Sequence, residues 1–226
     1  MGINAVEKID DLVKVRHVLI SVSDKSSLED FIPDLIQSVP DIRIFSTGGT
    51  FARISAILGD RADNHLTQVS DYTGQPETQG GLVKTLDFKI YLGLLTETYN
   101  DSHQDDLTRT DAVPIDMVVV NLYPFEATIA KEGVTPEQAR GNIDIGGPCM
   151  IRASAKNFLR VAPVVDPDDY QTILAEMKKN SGCTSLALRF DLACKAFAHT
   201  ASYDRAIAAY LAERRFGEVD GCYSKV

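Results

Sequence analysis

The chain has 226 residues, 44% of them hydrophobic and 24% charged, with a formal charge of −9. That is enough apolar material for one domain, or for one domain with a helical appendage. The acidic balance excludes a sequence-independent nucleic-acid binder, but a locally positive site for a small anion remains open.

Residues 1–15 read as a short amphipathic lead-in or a mobile tail. The branched, apolar run 16–22 predicts a buried strand. A polar loop follows, Ser23-Asp24-Lys25-Ser26-Ser27, and then a helix over 28–37 that Pro33 should kink or shorten. Residues 41–45 predict a second strand, leading through Ser46-Thr47-Gly48-Gly49-Thr50 into a helix over 51–58. Glycines let backbone N–H groups approach a ligand closely, so this loop suits a phosphate, although Gly pairs also simply make tight turns.

A short strand is expected at 67–69, a loop at 71–77, and another strand at 90–95. Residues 96–112 are polar and acidic, as in a solvated helix or loop. The strongest strand signal is 116–122, which is apolar on both faces as in a parallel sheet. It ends in Asn121-Leu122-Tyr123-Pro124-Phe125. A short helix over 135–140 carries Pro136 in its first turn.

Asn142–Asn157 follows, with Asp144 before a Gly146-Gly147-Pro148 turn and a helix-like run carrying Arg152 and Lys156. Its helix start is anion-friendly. Asp144 and Lys156 are groups able to move protons if the fold joins them; they could equally form an ion pair at a helix start. Residues 160–165 predict an edge strand because of Pro163. A helix over 169–179 and a long helical segment over 185–215, breaking near Ser202, complete the chain. Leu186, Phe190, Ala193, Phe197 and 199–201 are its expected buried positions, and the C-terminal helices are expected to form a cap or a dimer surface. Strands alternating with helices make this an α/β three-layer, doubly wound fold with a mainly parallel sheet.

Cys149, Cys183, Cys194 and Cys222 show no metal-type spacing and are expected to be reduced thiols in a cytoplasmic protein. No 18-residue apolar run marks a membrane span. The opening MGINAVEKIDDLVKV lacks the basic and apolar regions of a secretion leader.

The loops, taken in order, resemble one family. SVSDK (21–25), STGGT (46–50), VSDYTGQPE (69–77), VKTL (83–86), NLYPFEATIA (121–130), NIDIGGP (142–148), RASAKN (152–157) and KAFAHTASYD (195–204) are similar to the IMP cyclohydrolase domain. That domain is the N-terminal half of a bifunctional formyltransferase/cyclohydrolase of purine synthesis. The resemblance implies a methylglyoxal-synthase-like nucleotide-binding domain over 16–165, with 166–226 as a C-terminal helical region of the same unit.

It also implies a reaction. The carboxamide nitrogen of a formamidoimidazole ribonucleotide attacks its own formyl carbon and water leaves, giving inosine monophosphate. This needs no metal or other cofactor. It needs the two arms held together and a proton relay. Ser23, Asp24, Lys25, Thr47, Gly48, Gly49 and Thr50 match nucleotide-holding loops, as do Val83, Lys84 and Thr85. Asn121, Ile145, Gly146 and Gly147 match the surroundings of the base, and Tyr123, Asp144 and Lys156 match the chemistry.

Two departures stand out. Leu82 replaces an arginine, whose guanidinium donors a leucine cannot supply, and Asp87-Phe88 replaces a His-Pro pair. The resemblance further implies a homodimer, acting alone or beside a separate formyltransferase; the chain is then a free-standing cyclohydrolase or an excised domain. The alternative is a relative that binds a purine ribonucleotide or sugar phosphate without turnover.

Overall fold

A computed structural model describes residues 5–75 and 85–226. In chain order these form β1 (Leu12–Lys14), β2 (His17–Val22), α1 (Leu28–Ser38), β3 (Arg43–Ser46), α2 (Gly48–Leu58), α3 (Ala62–His65), β4 (Leu66–Gln68), α4 (Val69–Thr73), α5 (Phe88–Leu95) and α6 (Asp101–Arg109). There follow β5 (Met117–Asn121), α7 (Phe125–Ile129), α8 (Pro136–Gly141), α9 (Gly146–Lys156), β6 (Ala162–Val164), α10 (Tyr170–Lys179), β7 (Cys183–Ser185), α11 (Leu186–Ala212) and α12 (Phe216–Asp220).

Five strands form one parallel sheet in the order β4-β3-β2-β5-β6. Because successive residues of a strand point to opposite faces, each strand feeds two cores. Val18, Ile20, Val22, Met117 and Val119 face α1, α2 and α10, while Leu19, Val118 and Val120 face α5, α9 and α11. The three-layer α/β expectation is met. Pro163 lies on the edge strand β6, where its missing N–H breaks no ladder.

Several local expectations fail for identifiable reasons. The apolar run at 90–95 is helix α5, because Asp87 accepts the Lys89 N–H at 2.7 Å and caps a helix there. A short apolar run does not distinguish strand from helix, and the cap decides it. The predicted loop at 71–77 begins as the end of α4. Pro33 does not shorten α1. The helix buries Leu28, Phe31, Ile32, Leu35 and Ile36, and five buried side chains at roughly 1.5–3 kcal/mol each outweigh the ~3 kcal/mol cost of an interior proline.

The longest helix, α11, runs unbroken past Ser202 and turns a different face inward from the one its aromatic residues suggest. Phe190 and Phe197 are 50% and 40% exposed, while Arg189 is fully buried. Its guanidinium has five N–H donors, and five backbone carbonyls receive them. Nε donates to Phe158 O (3.0 Å), Nη1 to Asp11 O (3.2 Å) and Thr184 O, and Nη2 to Asp10 O (2.9 Å) and Leu159 O (3.1 Å). Burial pushes its pKa down to about 10. The clasp holds the lead-in segment, where β1 pairs antiparallel with β7.

Candidate functional site

The chain passes from β2 to β3 and β4 on one side of the sheet, then returns to lay β5 and β6 on the other. The connections after β2 and β5 therefore diverge and leave a crevice at the carboxyl ends of the two central strands. Open α/β sheets bind ligands at such a switch point. Val22, ending β2, pairs in register with Asn121, ending β5.

Asn121 ties this crevice together. Its Oδ1 accepts the Ser23 and Asp24 N–H groups at 2.6 and 2.9 Å, and its Nδ2 donates to Asp24 O at 2.9 Å. The Asp24 carboxylate accepts the Ser26 N–H, which holds its pKa below the usual carboxylate value. Lys25 Nζ lies against Val22 O and Ser23 O, both at 3.2 Å. It also faces α2, since a methyl group at Gly49 would lie 3.6 Å from Lys25 Cε and 4.0 Å from Nζ.

The α2 start is open. Thr47 extends no side-chain cap to it, Gly48 has φ 50, and Gly48 and Gly49 are both exposed. Uncapped N–H groups at a helix start beside an ammonium form an anion site. Thr50 is different. Its buried hydroxyl accepts the Val22 N–H at 3.1 Å and donates to Val22 O at 3.0 Å, so it fastens α2 to β2.

Across the crevice, Asp144 precedes α9. Its Oδ1 accepts the Gly147 N–H at 2.9 Å, and its backbone N–H donates to the Tyr203 hydroxyl at 2.8 Å. Burial pushes the Asp144 pKa up, and the Gly147 and Tyr123 N–H groups oppose that rise. Tyr123 and Ile145 stand 58% and 59% exposed beside it. Gly147 must be glycine, because an added methyl would meet Asp144 Oδ2 and Leu122 Cδ2, each at 2.6 Å. Gly147→Ala is expected to displace the carboxylate and cost about 1–3 kcal/mol of stability. Urea melts and a carboxyl titration of Asp144 check both effects; an unshifted titration would show that the neighbours yield instead. Gly146 is equally tight, its methyl position being 2.8 Å from the Thr85 hydroxyl oxygen.

The expected junction of Asp144 and Lys156 is not formed within the chain. Ten residue steps of α9 separate Gly146 from Lys156, about 15 Å of helix. Because α9 runs antiparallel to its neighbouring parallel strands in the crossover from β5 to β6, Lys156 is exposed near the amino ends of the strands. Val83 and Lys84, with Leu82, lie outside the described residues. Asp87, which stands where the family resemblance leads one to expect a histidine, is buried as the α5 cap. Tyr203 was not assigned a role from sequence; its signal was its place in KAFAHTASYD.

Residues 28–149 match the MGS-like domain model. The chain belongs to the MGS-like domain family. Beyond its MGS-like segment, residues 154–224 match the AICARFT/IMPCHase bienzyme model. The bifunctional purine biosynthesis protein PurH of Synechococcus sp. (strain CC9605) is 47% identical over 196 residues, which is 87% of this chain and 36% of that protein. The chain thus spans about a third of the length of this curated relative. The crystal structure of ForH superposes with a TM-score of 0.70 at 30% identity, covering 85% of this chain and 97% of ForH. The resemblance carried by the loop motifs is borne out, and the MGS-like segment contains the open α2 start, Tyr123 and Asp144.

Proposed function

We propose that the chain is an IMP cyclohydrolase, closing the six-membered ring of inosine monophosphate from 5-formamidoimidazole-4-carboxamide ribonucleotide. One observation carries the reading. A half-buried carboxylate with a raised pKa, Asp144, shares a sheet edge with the uncapped start of α2 and Lys25. The kinship with PurH supports it.

In this reading the ribonucleotide phosphate sits on the Gly48 and Gly49 amides with Lys25, and Ser23 and Asp24 border the sugar. The planar base lies between exposed Tyr123 and Ile145. Asp144 takes a proton from the carboxamide nitrogen as that nitrogen bonds to the formyl carbon. Asp144 returns that proton to the former formyl oxygen, which also takes up the formamido N–H proton and leaves as water as the ring C=N bond forms. Val83, Lys84 and Thr85 complete the nucleotide contacts, and no step needs a metal or cofactor. Positioning supplies most of the acceleration, because the two reacting groups already belong to one molecule.

Lys156 enters the chemistry only from a second copy. A homodimer covering the face that carries Arg152, Lys156, Phe190 and Phe197 would bring it to a neighbouring site; mixing inactive Asp144→Asn and Lys156→Ala chains would then restore activity. A formyltransferase, separate or fused, supplies the substrate, in the cytoplasm. An absorbance assay of inosinate formation from the formamido ribonucleotide tests the function. Turnover by the wild-type chain is expected; product binding without turnover would overturn it.

A further inference from the structure

We infer that Tyr203 is the positioning residue for Asp144, and that α11 through it sets the geometry of the reacting pair. The inference rests on the cyclohydrolase reading for its kinetic consequence and on geometry for the rest. Asp144 lies in the turn before α9, where a backbone N–H has no helical partner. The Tyr203 hydroxyl, 59 residues further along the chain, accepts that N–H at 2.8 Å. A single hydrogen bond from a long helix thus fixes the backbone that aims the carboxyl group.

The tyrosine is itself held. Its ring meets Phe125 edge-on, with centroids 6.2 Å apart and planes at 70°, and Tyr210 meets the same Phe125 at 5.8 Å and 89°. Phe125 is two residues past Tyr123. The same face of α11 therefore anchors both sides of the reacting pair, Tyr123 through Phe125 and Asp144 through the hydroxyl. Tyr203 is only 9% exposed and Phe125 1%, so neither ring can swing aside without opening the core. Asp144 and Tyr123 belong to the MGS-like segment, whereas Tyr203 belongs to the AICARFT/IMPCHase segment. The second segment's contribution to the site is orientation.

Tyr210 supplies an internal control. It packs against the same phenylalanine, but its buried hydroxyl has no hydrogen-bond partner among the described residues. Tyr203→Phe and Tyr210→Phe each remove one oxygen and keep the ring, so both are expected to fold. Only the first frees the Asp144 backbone.

Tyr203→Phe is expected to lower kcat about 10- to 100-fold, as a misplacement near 1 Å does, with KM within about twofold of wild type. Tyr210→Phe is expected to leave both unchanged. In the substrate-free protein, a carbon-detected NMR titration of the Asp144 carboxyl reads the same effect without turnover. Burial raises this pKa, so a loosened turn that admits water moves the titration to lower pH in Tyr203→Phe and not in Tyr210→Phe. Identical kinetics and titrations for the two variants would overturn the inference. A raised KM with unchanged kcat would also overturn it, by showing that Tyr203 touches substrate directly. If the wild-type chain has no cyclohydrolase activity, that reading fails alone, and the titration still decides the role of Tyr203.

Discussion

Asp144→Asn is expected to lower kcat by about 10²- to 10⁴-fold, the range for losing a positioned general base, while product affinity measured by calorimetry stays within about threefold. Asparagine keeps an oxygen able to accept the Gly147 N–H and keeps the backbone N–H bonded to Tyr203. The helix start therefore survives while the group that accepts a proton disappears. The wild-type kcat/KM should rise with pH along a limb above the ordinary aspartate value of 3.8, because burial favours the protonated acid. That limb should be missing in the variant.

The sign for stability is opposite to that for activity. A carboxyl whose folded pKa is raised contributes stability below its unfolded pKa and loses it as pH rises through the folded one. At neutral pH the ionised Asp144 weakens the fold, so the asparagine variant should melt no lower than wild type. Retention of more than a tenth of wild-type kcat would remove Asp144 from the chemistry.

The largest effect on stability is expected from Arg189→Met. The substitution keeps much of the volume and deletes all five donors, leaving carbonyls from residues 10, 11, 158, 159 and 184 without their partner. Buried acceptors left unpaired cost about 1–3 kcal/mol each before relaxation. With partial rehydration the loss should reach about 4 kcal/mol, a large share of the ~5–15 kcal/mol that holds a domain. At 2–4 °C per kcal/mol for a chain of this size, the melting temperature should fall roughly 10 °C. Hydrogen exchange should accelerate first at the β1 and β7 amides. A variant melting within about 2 °C of wild type would show that the carbonyls find other partners. Arg189→Lys should rescue little, since an ammonium has three donors and no planar fork.

Much of the architecture was legible in the sequence. The five sheet strands were each expected within a few residues of where they lie, because branched apolar runs between polar loops have few other readings. The α5 segment was not, because its apolar run fits either element and the deciding group, the capping Asp87, lies outside that run. The phase of α11 was lost for a related reason. Phe190 and Phe197 outweigh Arg189 on any apolar count, and only the carbonyls gathered from two distant segments and from nearby Thr184 make the buried arginine favourable.

The site divides in the same way. Asp144 and the α2 start stand out by local pattern, and Tyr123 by the family resemblance. The separation of Asp144 from Lys156 follows once α9 is known to run unbroken. The bond from Tyr203 to Asp144 joins residues that no local pattern relates.

The pairing of β1 with β7, sealed by Arg189, also has a consequence for synthesis. Leu12 is matched with Ser185, so β1 has no partner until the 170-odd residues that follow it have been translated. At 5–20 residues per second that wait is on the order of ten seconds or more. Through it β1 stays unpaired in the nascent chain, and a ribosome stalled before residue 189 presents that strand to chaperones and proteases.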